Sequence, residues 1–234
     1  MLWDLSEVPG YRVHGRDGSL GVVTDLYVDD ADWHVRYLAV TGGEKTGPGR
    51  FLLAPAMIRR IDREIGWLSV FLSQATVRNS PAVALGRNNP WPQASGLRAF
   101  YGLPTYDTER PASRATLSRL QSLRGLLGAR VLAGEGDEEQ GLLQDLVVDD
   151  HTWAVQGLAV DVSSWLAAGR VWLRAEGLKR RCGAKVPLTL TLPGASVFAH
   201  PPADHPLPLA PTWGPAATPE ALGAVQLHEG TSAA

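Results

Sequence analysis

The chain has 234 residues, of which 44% are hydrophobic and 20% are charged, and its formal net charge is −2 at pH 7. This composition is typical of a globular protein, and the length suffices for two small domains of about 80 residues each. Because lysine and arginine are not in excess, we expect no nucleic acid as the main partner.

The first part of the chain predicts an antiparallel β meander. Its first turn contains Asp17-Gly18, a dipeptide that favours a tight hairpin because glycine accepts positive φ. Its second turn is the acidic stretch 29–32, which follows a run rich in valine and leucine. The predicted strands of the meander are 11–14, 20–28 and 33–41.

The next segment predicts further strands and one short helix. Residues 42–49 are rich in glycine and predict a loop between strands. Ser73 is placed to cap the helix, because its hydroxyl can accept an unpaired backbone N–H, and Pro81 prevents continuation. The predicted elements are strands 50–53 and 67–72, a short hairpin within 58–65, and a helix over 74–78.

The same unit then recurs. Residues 21–33, GVVTDLYVDDADW, return as residues 141–153, GLLQDLVVDDHTW, at a constant offset of 120. Self-similarity of this kind indicates a duplicated domain. The second copy predicts strands in the same order, but its first turn, around residues 134–139, is two residues longer. We expect a mobile hairpin there.

Two segments lie outside the copies. The stretch between them contains prolines and aromatic residues without a sustained period, and we expect it to lie on a domain surface. The C-terminal stretch is rich in proline and alanine, a composition that favours extended or disordered chain. The predicted organisation is domain 1 over 1–81, a linker over 82–113, domain 2 over 114–201 and a tail over 202–234.

The sequence also bears on cellular location. Acidic residues near the N-terminus stand where a signal peptide needs basic residues and then an apolar run. The most apolar stretch, 157–173, is interrupted by charged residues and is shorter than the ~20 apolar residues that span a bilayer. Cys182 is alone, which excludes an intrachain disulfide. We therefore expect a cytoplasmic protein without a transmembrane segment.

The ordered series of motifs resembles the PRC-barrel domain family. The motifs are Gly10-Tyr11, Asp17-Gly18 to Gly21, Asp29-Asp30-x-x-Trp33, Tyr37-Leu-Ala-Val40 and, in the second copy, Asp149-Asp150-x-x-Trp153. The series is similar to the stand-alone bacterial type with two such domains in tandem, whose linker holds a segment like Tyr101-Gly-Leu-Pro104. Other members of the family are the cytoplasmic domain of the reaction-centre H subunit and the C-terminal domain of a ribosome maturation factor.

This resemblance implies an all-β fold with short helical turns, in which two tandem small barrels pack as a pseudo-two-fold pair. It implies a docking role, with no catalytic residues. The second copy departs from the family pattern in two places, since no glycine follows Asp137 and Gly157 stands where the first copy has Tyr37. The two copies therefore need not present equivalent binding surfaces.

Eight residues recur at equivalent positions and form a candidate structural signature: Gly21, Asp29, Asp30, Trp33, Gly141, Asp149, Asp150 and Trp153. Paired aspartates suit acid–base chemistry or a hard cation, but the order of an EF-hand loop is missing. We interpret the aspartates as acceptors of backbone hydrogen bonds that start the turn into each tryptophan. We interpret the tryptophans as core or inter-copy packing, the alternative being a recognition surface.

Other chemical interpretations are weaker. His200, Asp204 and His205 offer metal-ligand atoms, but the prolines among them hinder a site. The remaining histidines have no serine or cysteine motif beside them for a triad, and the loop 42–49 lacks the order of a phosphate-binding loop. We interpret that loop as a flexible hairpin able to contact a partner. The sequence thus predicts no catalytic residue, no cofactor and no metal site.

The leading hypothesis is a non-catalytic protein-interaction or assembly module, either a monomer with paired internal repeats or a homodimer. The partner is a protein whose identity the sequence does not give. One alternative is an organiser of a membrane or electron-transfer complex, as in the H-subunit relative. Another alternative is a small-ligand binder or enzyme that uses the cleft between the barrels.

Overall fold

A computed structural model describes most of both copies. The described residues are 2–47, 49–80, 100–102, 120–133, 138–162, 170–183, 186–192 and 197–198. Most of them lie in the strands of two sheets, which confirms the all-β class. The tail, most of the linker and the centre of the longer turn in the second copy lie outside the described residues.

The strands within the described residues are β1 (Leu2–Asp4), β2 (Arg12–Gly15), β3 (Gly18–Asp29), β4 (His34–Gly42), β5 (Arg50–Leu53), β6 (Ile58–Asp62), β7 (Trp67–Val70), β8 (Leu120–Ser122), β9 (Arg130–Ala133), β10 (Glu138–Asp149), β11 (Val155–Asp161), β12 (Arg170–Arg174), β13 (Lys179–Gly183), β14 (Val186–Leu192) and β15 (Val197–Phe198). The helical segments are short. They are the 3₁₀ turns Leu5–Glu7 and Pro55–Met57 and the α-helices Gln74–Arg78 and Leu123–Leu126.

The chain divides into two compact units that are not consecutive segments. The first-copy unit contains Leu5–Gly125 and Thr152–Ala154, and the second-copy unit contains Met1–Asp4, Leu126–His151 and the chain from Val155 onward. The units thus differ from the continuous boundaries expected at 1–81 and 114–201. Hydrogen bonding between strands that are distant in sequence, not chain order, decides which sheet each short strand joins.

The sheet of the first-copy unit follows the order β5-β4-β3-β2-β7-β6, and β8 pairs with β3. The predicted meander is confirmed as β2, β3 and β4, which pair antiparallel in succession. The pairing of β2 with β7 is parallel. The hairpin expected within 58–65 is wrong, because β6 pairs with β7 instead. Gly66, at φ +64, lies in the turn that joins them.

The sheet of the second-copy unit follows the order β13-β14-β9-β10-β11-β12-β15, and β1 pairs with β10. The pairing Leu2↔Asp149 in this unit corresponds to Leu120↔Asp29 in the other. The strand β1, which precedes the first copy, therefore extends the sheet of the second copy. The strand β8, which precedes the second copy, extends the sheet of the first copy. Neither of these three-residue strands has a period long enough to be predicted from sequence.

The cores of the two units use different residues at equivalent places. In the first-copy unit Tyr37 is buried opposite Tyr27, whereas the second-copy unit has Gly157 opposite Val147. Trp172 packs with Val147 on that face of the second-copy unit, where the first copy has Leu52. The smaller residues leave space for the tryptophan, whose indole replaces part of the volume that the two tyrosine rings occupy in the first copy.

The predicted helix after β7 is confirmed. It spans Gln74–Arg78, and the Ser73 hydroxyl accepts a hydrogen bond from the backbone N–H of Thr76 at 3.1 Å. This contact satisfies one of the N–H groups left unpaired at a helix start. The local sequence signal was sufficient here because the cap and the helix are adjacent in the chain.

Candidate functional site

The acidic turn that recurs in both copies is built by the first aspartate of each pair. Asp29 Oδ1 accepts a hydrogen bond from the backbone N–H of Ala31 at 3.0 Å, and Asp149 Oδ1 accepts one from that of His151 at 3.1 Å. The N–H of Trp33 then donates to the carbonyl of Asp29 at 2.8 Å. This is the role in turn formation predicted for these aspartates, and it engages one oxygen of each in backbone pairing.

The tryptophan that ends each turn has an unusual backbone conformation. Trp33 lies at φ 55 and Trp153 at φ 59, a left-handed region that costs a bulky residue about 1–3 kcal/mol. Both residues are only 6% exposed. Burial of an indole offsets that cost, so these residues act through packing rather than through an exposed surface. In the first-copy unit the N–H of Val35 also donates to the carbonyl of Trp153 at 2.9 Å.

The glycine that begins each recurring segment allows close approach of two strands. Gly21 has φ +148 and Gly141 has φ +135. A Cβ added at Gly21 would overlap the carbonyl oxygen of Thr41, and one added at Gly141 would overlap that of Asp161. The same backbone contact in both copies explains why glycine recurs here.

A pair of aspartates outside the signature was missed by the sequence reasoning. Asp25 and Asp145 are separated by 120 residues, and each accepts the N–H of the following residue, at 2.9 and 2.8 Å. Each lies at a register shift between its strand and the next. Asp25 also accepts the Ser122 hydroxyl at 2.6 Å, which fastens β8 to β3. The sequence did contain a signal for this pair, because aspartate stands at both positions of the repeat.

The charged side chains around the acidic turn of the first copy form ion pairs with one another. The buried guanidinium of Arg36 forms ion pairs with Asp32 and, at 3.5 Å, with Asp29. In the second copy Gln156 and Thr152 stand at the places of Arg36 and Asp32, so this ion-pair arrangement is confined to the first copy. It is therefore not a chemical apparatus shared by the repeats. Its geometry is that of a buried structural ion pair.

The acidic turn of the second copy brings together three residues with metal-ligand atoms. One ligand atom from each of Asp149, Asp150 and His151 lies within 4.8 Å of the others. Two of these residues already contact each other, since His151 Nδ1 lies 2.6 Å from Asp150 Oδ1. Burial raises the pKa of the Asp150 carboxyl, but hydrogen bonds and positive charge, His151 among them, lower it below its usual value. The first copy has Ala31 at the place of His151, so the cluster does not recur.

The glycine-rich loop between β4 and β5 is a hairpin, as predicted, but it is anchored. The hydroxyl of Thr46 donates to the carbonyl of Leu20 at 2.9 Å and accepts the N–H of Gly43 at 2.8 Å. Thr46 is buried. The sequence predicts a flexible loop, but the Thr46 side chain bonds it to β3. The candidate ligands His200, Asp204 and His205 lie outside the described residues.

No model of a known protein family matches this chain, and no curated protein matches it in sequence. Among the described residues, no helix is both long enough and apolar enough to cross a membrane. The geometry of the recurring turn is thus the main guide to what the copies share. Within the described residues, what they share is backbone architecture.

Proposed function

We propose that this chain is a non-catalytic protein-interaction or assembly module composed of two tandem PRC-type barrels that pack as a pseudo-two-fold pair. The proposal rests on the contacts and the burial of the recurring residues. Asp29 and Asp149 form the turns, the glycines allow strand contact and the tryptophans are buried. A duplicated scaffold in which six of the eight shared signature residues maintain the turns, the strand contacts and the core is suited to presenting surfaces.

The pairing of the copies receives support from the sheets. The first copy is preceded by β1, which pairs with β10, and the second copy is preceded by β8, which pairs with β3. Cleavage of the linker 82–113 by limited proteolysis should therefore give two fragments that remain associated on gel filtration. Fragments that separate freely and stay folded would contradict a paired arrangement.

The assembly role is tested with the full-length chain, which we propose to be cytoplasmic. Affinity purification from the native cells, followed by reconstitution with the purified partner, should give a complex of defined stoichiometry. In parallel, a thermal-shift panel of metals, nucleotides and cofactors should give no saturable stabilisation. Saturable stabilisation without a protein complex would instead favour a ligand binder or enzyme. Recovery of an integral membrane complex would favour the organiser alternative.

A further inference from the structure

One face of the first-copy sheet carries an exposed tryptophan among arginines. Arg12 on β2 lies opposite Val22 on β3 and opposite Trp67 on β7. Residues directly opposite one another share a face of the sheet. The alternate residues Val13 and Leu68 are fully buried, so the row formed by Arg12, Val22 and Trp67 points away from the core.

The apolar members of this row are unusually exposed. Val22 is 40% exposed and Trp67 is 37% exposed, and Phe71, just beyond β7, is 49% exposed. The guanidinium of Arg59 lies 5.9 Å from the centre of the Phe71 ring. Single exposed apolar residues need no explanation, but tryptophan and arginine together are the residues enriched in the energetic centres of protein interfaces.

The indole of Trp67 is held in place before any partner binds. The ring of His14 stacks on it with the ring centroids 4.1 Å apart and the planes 19° from parallel. A side chain that is already fixed loses less conformational entropy on binding than a mobile one. The stacked pair therefore provides a rigid aromatic surface next to Arg12.

The charge of this face is opposite in sign to that of the whole chain. Within the described part of the chain, Arg12 forms no ion pair, and Arg60 meets Asp62 only across 3.7 Å. The Arg60 side chain is 76% exposed, so that ion pair is weak and leaves the arginine accessible. The two arginines of this face, Arg12 and Arg60, outnumber its one aspartate, Asp62, which lies opposite Trp67. The complementary partner is therefore negatively charged.

The second copy lacks the aromatic part of this face. Arg130 stands at the place of Arg12, but the residue in register with it is Thr189 rather than a tryptophan. Leu132 stands at the place of the stacked histidine. The scaffold therefore forms without the aromatic pair, which makes the pair a feature particular to the first copy.

We propose that the arginine–tryptophan face, defined as Arg12, His14, Val22, Arg60 and Trp67, binds an acidic segment of a partner protein. The carboxylates of the segment pair with the arginines, and its apolar side chains cover Val22 and the indole of Trp67. This inference rests on the proposed role in protein assembly and names the surface and the chemistry of the partner.

The test uses the full-length protein and a short fluorescein-labelled peptide that alternates glutamate and leucine. Fluorescence anisotropy should show saturable binding that Arg12→Glu and Trp67→Thr each weaken about tenfold or more, as expected for interface centres. The matched control Arg130→Glu, on the second copy, should change the dissociation constant less than about twofold. Both face substitutions are at exposed sites, and unchanged thermal unfolding confirms that each variant is folded. Arg12→Gln provides a second variant without a reversed charge.

Several results would overturn the proposal. They are a lack of saturable peptide binding, equal binding of an all-glutamate peptide, or equal losses in the Arg12 and Arg130 variants. Binding of phosphatidylglycerol vesicles through Arg12 and Trp67 without peptide binding would assign the face to lipid instead. If the native partner binds Trp67→Thr as well as the wild type, the face is wrong while the assembly role stands. If no protein complex forms at all, the assembly role itself fails.

Discussion

Replacement of Gly21 by alanine tests whether the recurring glycine is required by the backbone. Alanine at φ +148 is strained by about 1–3 kcal/mol. The added Cβ would overlap the carbonyl oxygen of Thr41 and lie 2.9 Å from its carbonyl carbon, so β4 must move, at a further cost of about 1–3 kcal/mol. Alanine also lowers the conformational entropy of the unfolded chain, which stabilises the folded protein by up to about 1 kcal/mol. We expect a net loss of about 1–6 kcal/mol, which is large against a typical total of about 5–15 kcal/mol.

Two other glycines separate the contributions to this loss. Gly10 has φ +101 but has no neighbour within 4 Å of an added Cβ, so Gly10→Ala should show the strain alone, about 1–3 kcal/mol. Gly43 has neither a positive φ nor such a neighbour, and Gly43→Ala should change stability by less than about 1 kcal/mol.

The assay combines urea unfolding with hydrogen exchange resolved by mass spectrometry, because exchange reports on β3 separately from β10. Gly21→Ala should lower protection in β3 and β4. The reasoning about strand contact would be refuted if Gly21→Ala were no more destabilising than Gly10→Ala. It would also be refuted if Gly21→Ala unfolded at the same urea concentration as Gly43→Ala.

Three further perturbations have defined outcomes. Trp3→Ala removes a fully buried indole from β1 and should cost about 3–5 kcal/mol; exchange protection should fall in β10, and a fall confined to β3 would contradict the strand pairing. Arg36→Gln introduces the residue that the second copy has at this position. It should lower the free energy of unfolding in urea by about 3 kcal/mol, because the buried carboxylate of Asp29 loses its partner. A loss below about 1 kcal/mol would show that the ion pair is dispensable. The pKa of Asp150 is lower in the folded protein than its ordinary value, so its contribution to stability is present above about pH 4 and is lost as pH falls through the folded pKa. Asp150→Asn should therefore reduce the slope of stability against pH below about pH 4, measured by acid unfolding, and an unchanged slope would contradict the assigned contacts.

The candidate site was partly predictable because its contacts are local. The turn at Asp29 and the helix cap at Ser73 join residues two or three positions apart, and such contacts leave residue-type signals in the sequence. The left-handed backbone of Trp33 was not predictable, since tryptophan has no preference for that region. The ion pairs of Arg36 were also not predictable, because the acidic stretch 29–32 predicts a turn whether or not a buried arginine lies beside it.

Residue order alone reveals the repeat at an offset of 120 residues and the alternation of apolar residues that predicts strands. It also determined where the glycines and turns fall. The folded chain is needed to show which sheets β1 and β8 join, since a three-residue strand contains too little sequence pattern to select its partner. The same holds for the arginine–tryptophan face, because Arg12 and Trp67 become neighbours only through the parallel pairing of β2 with β7.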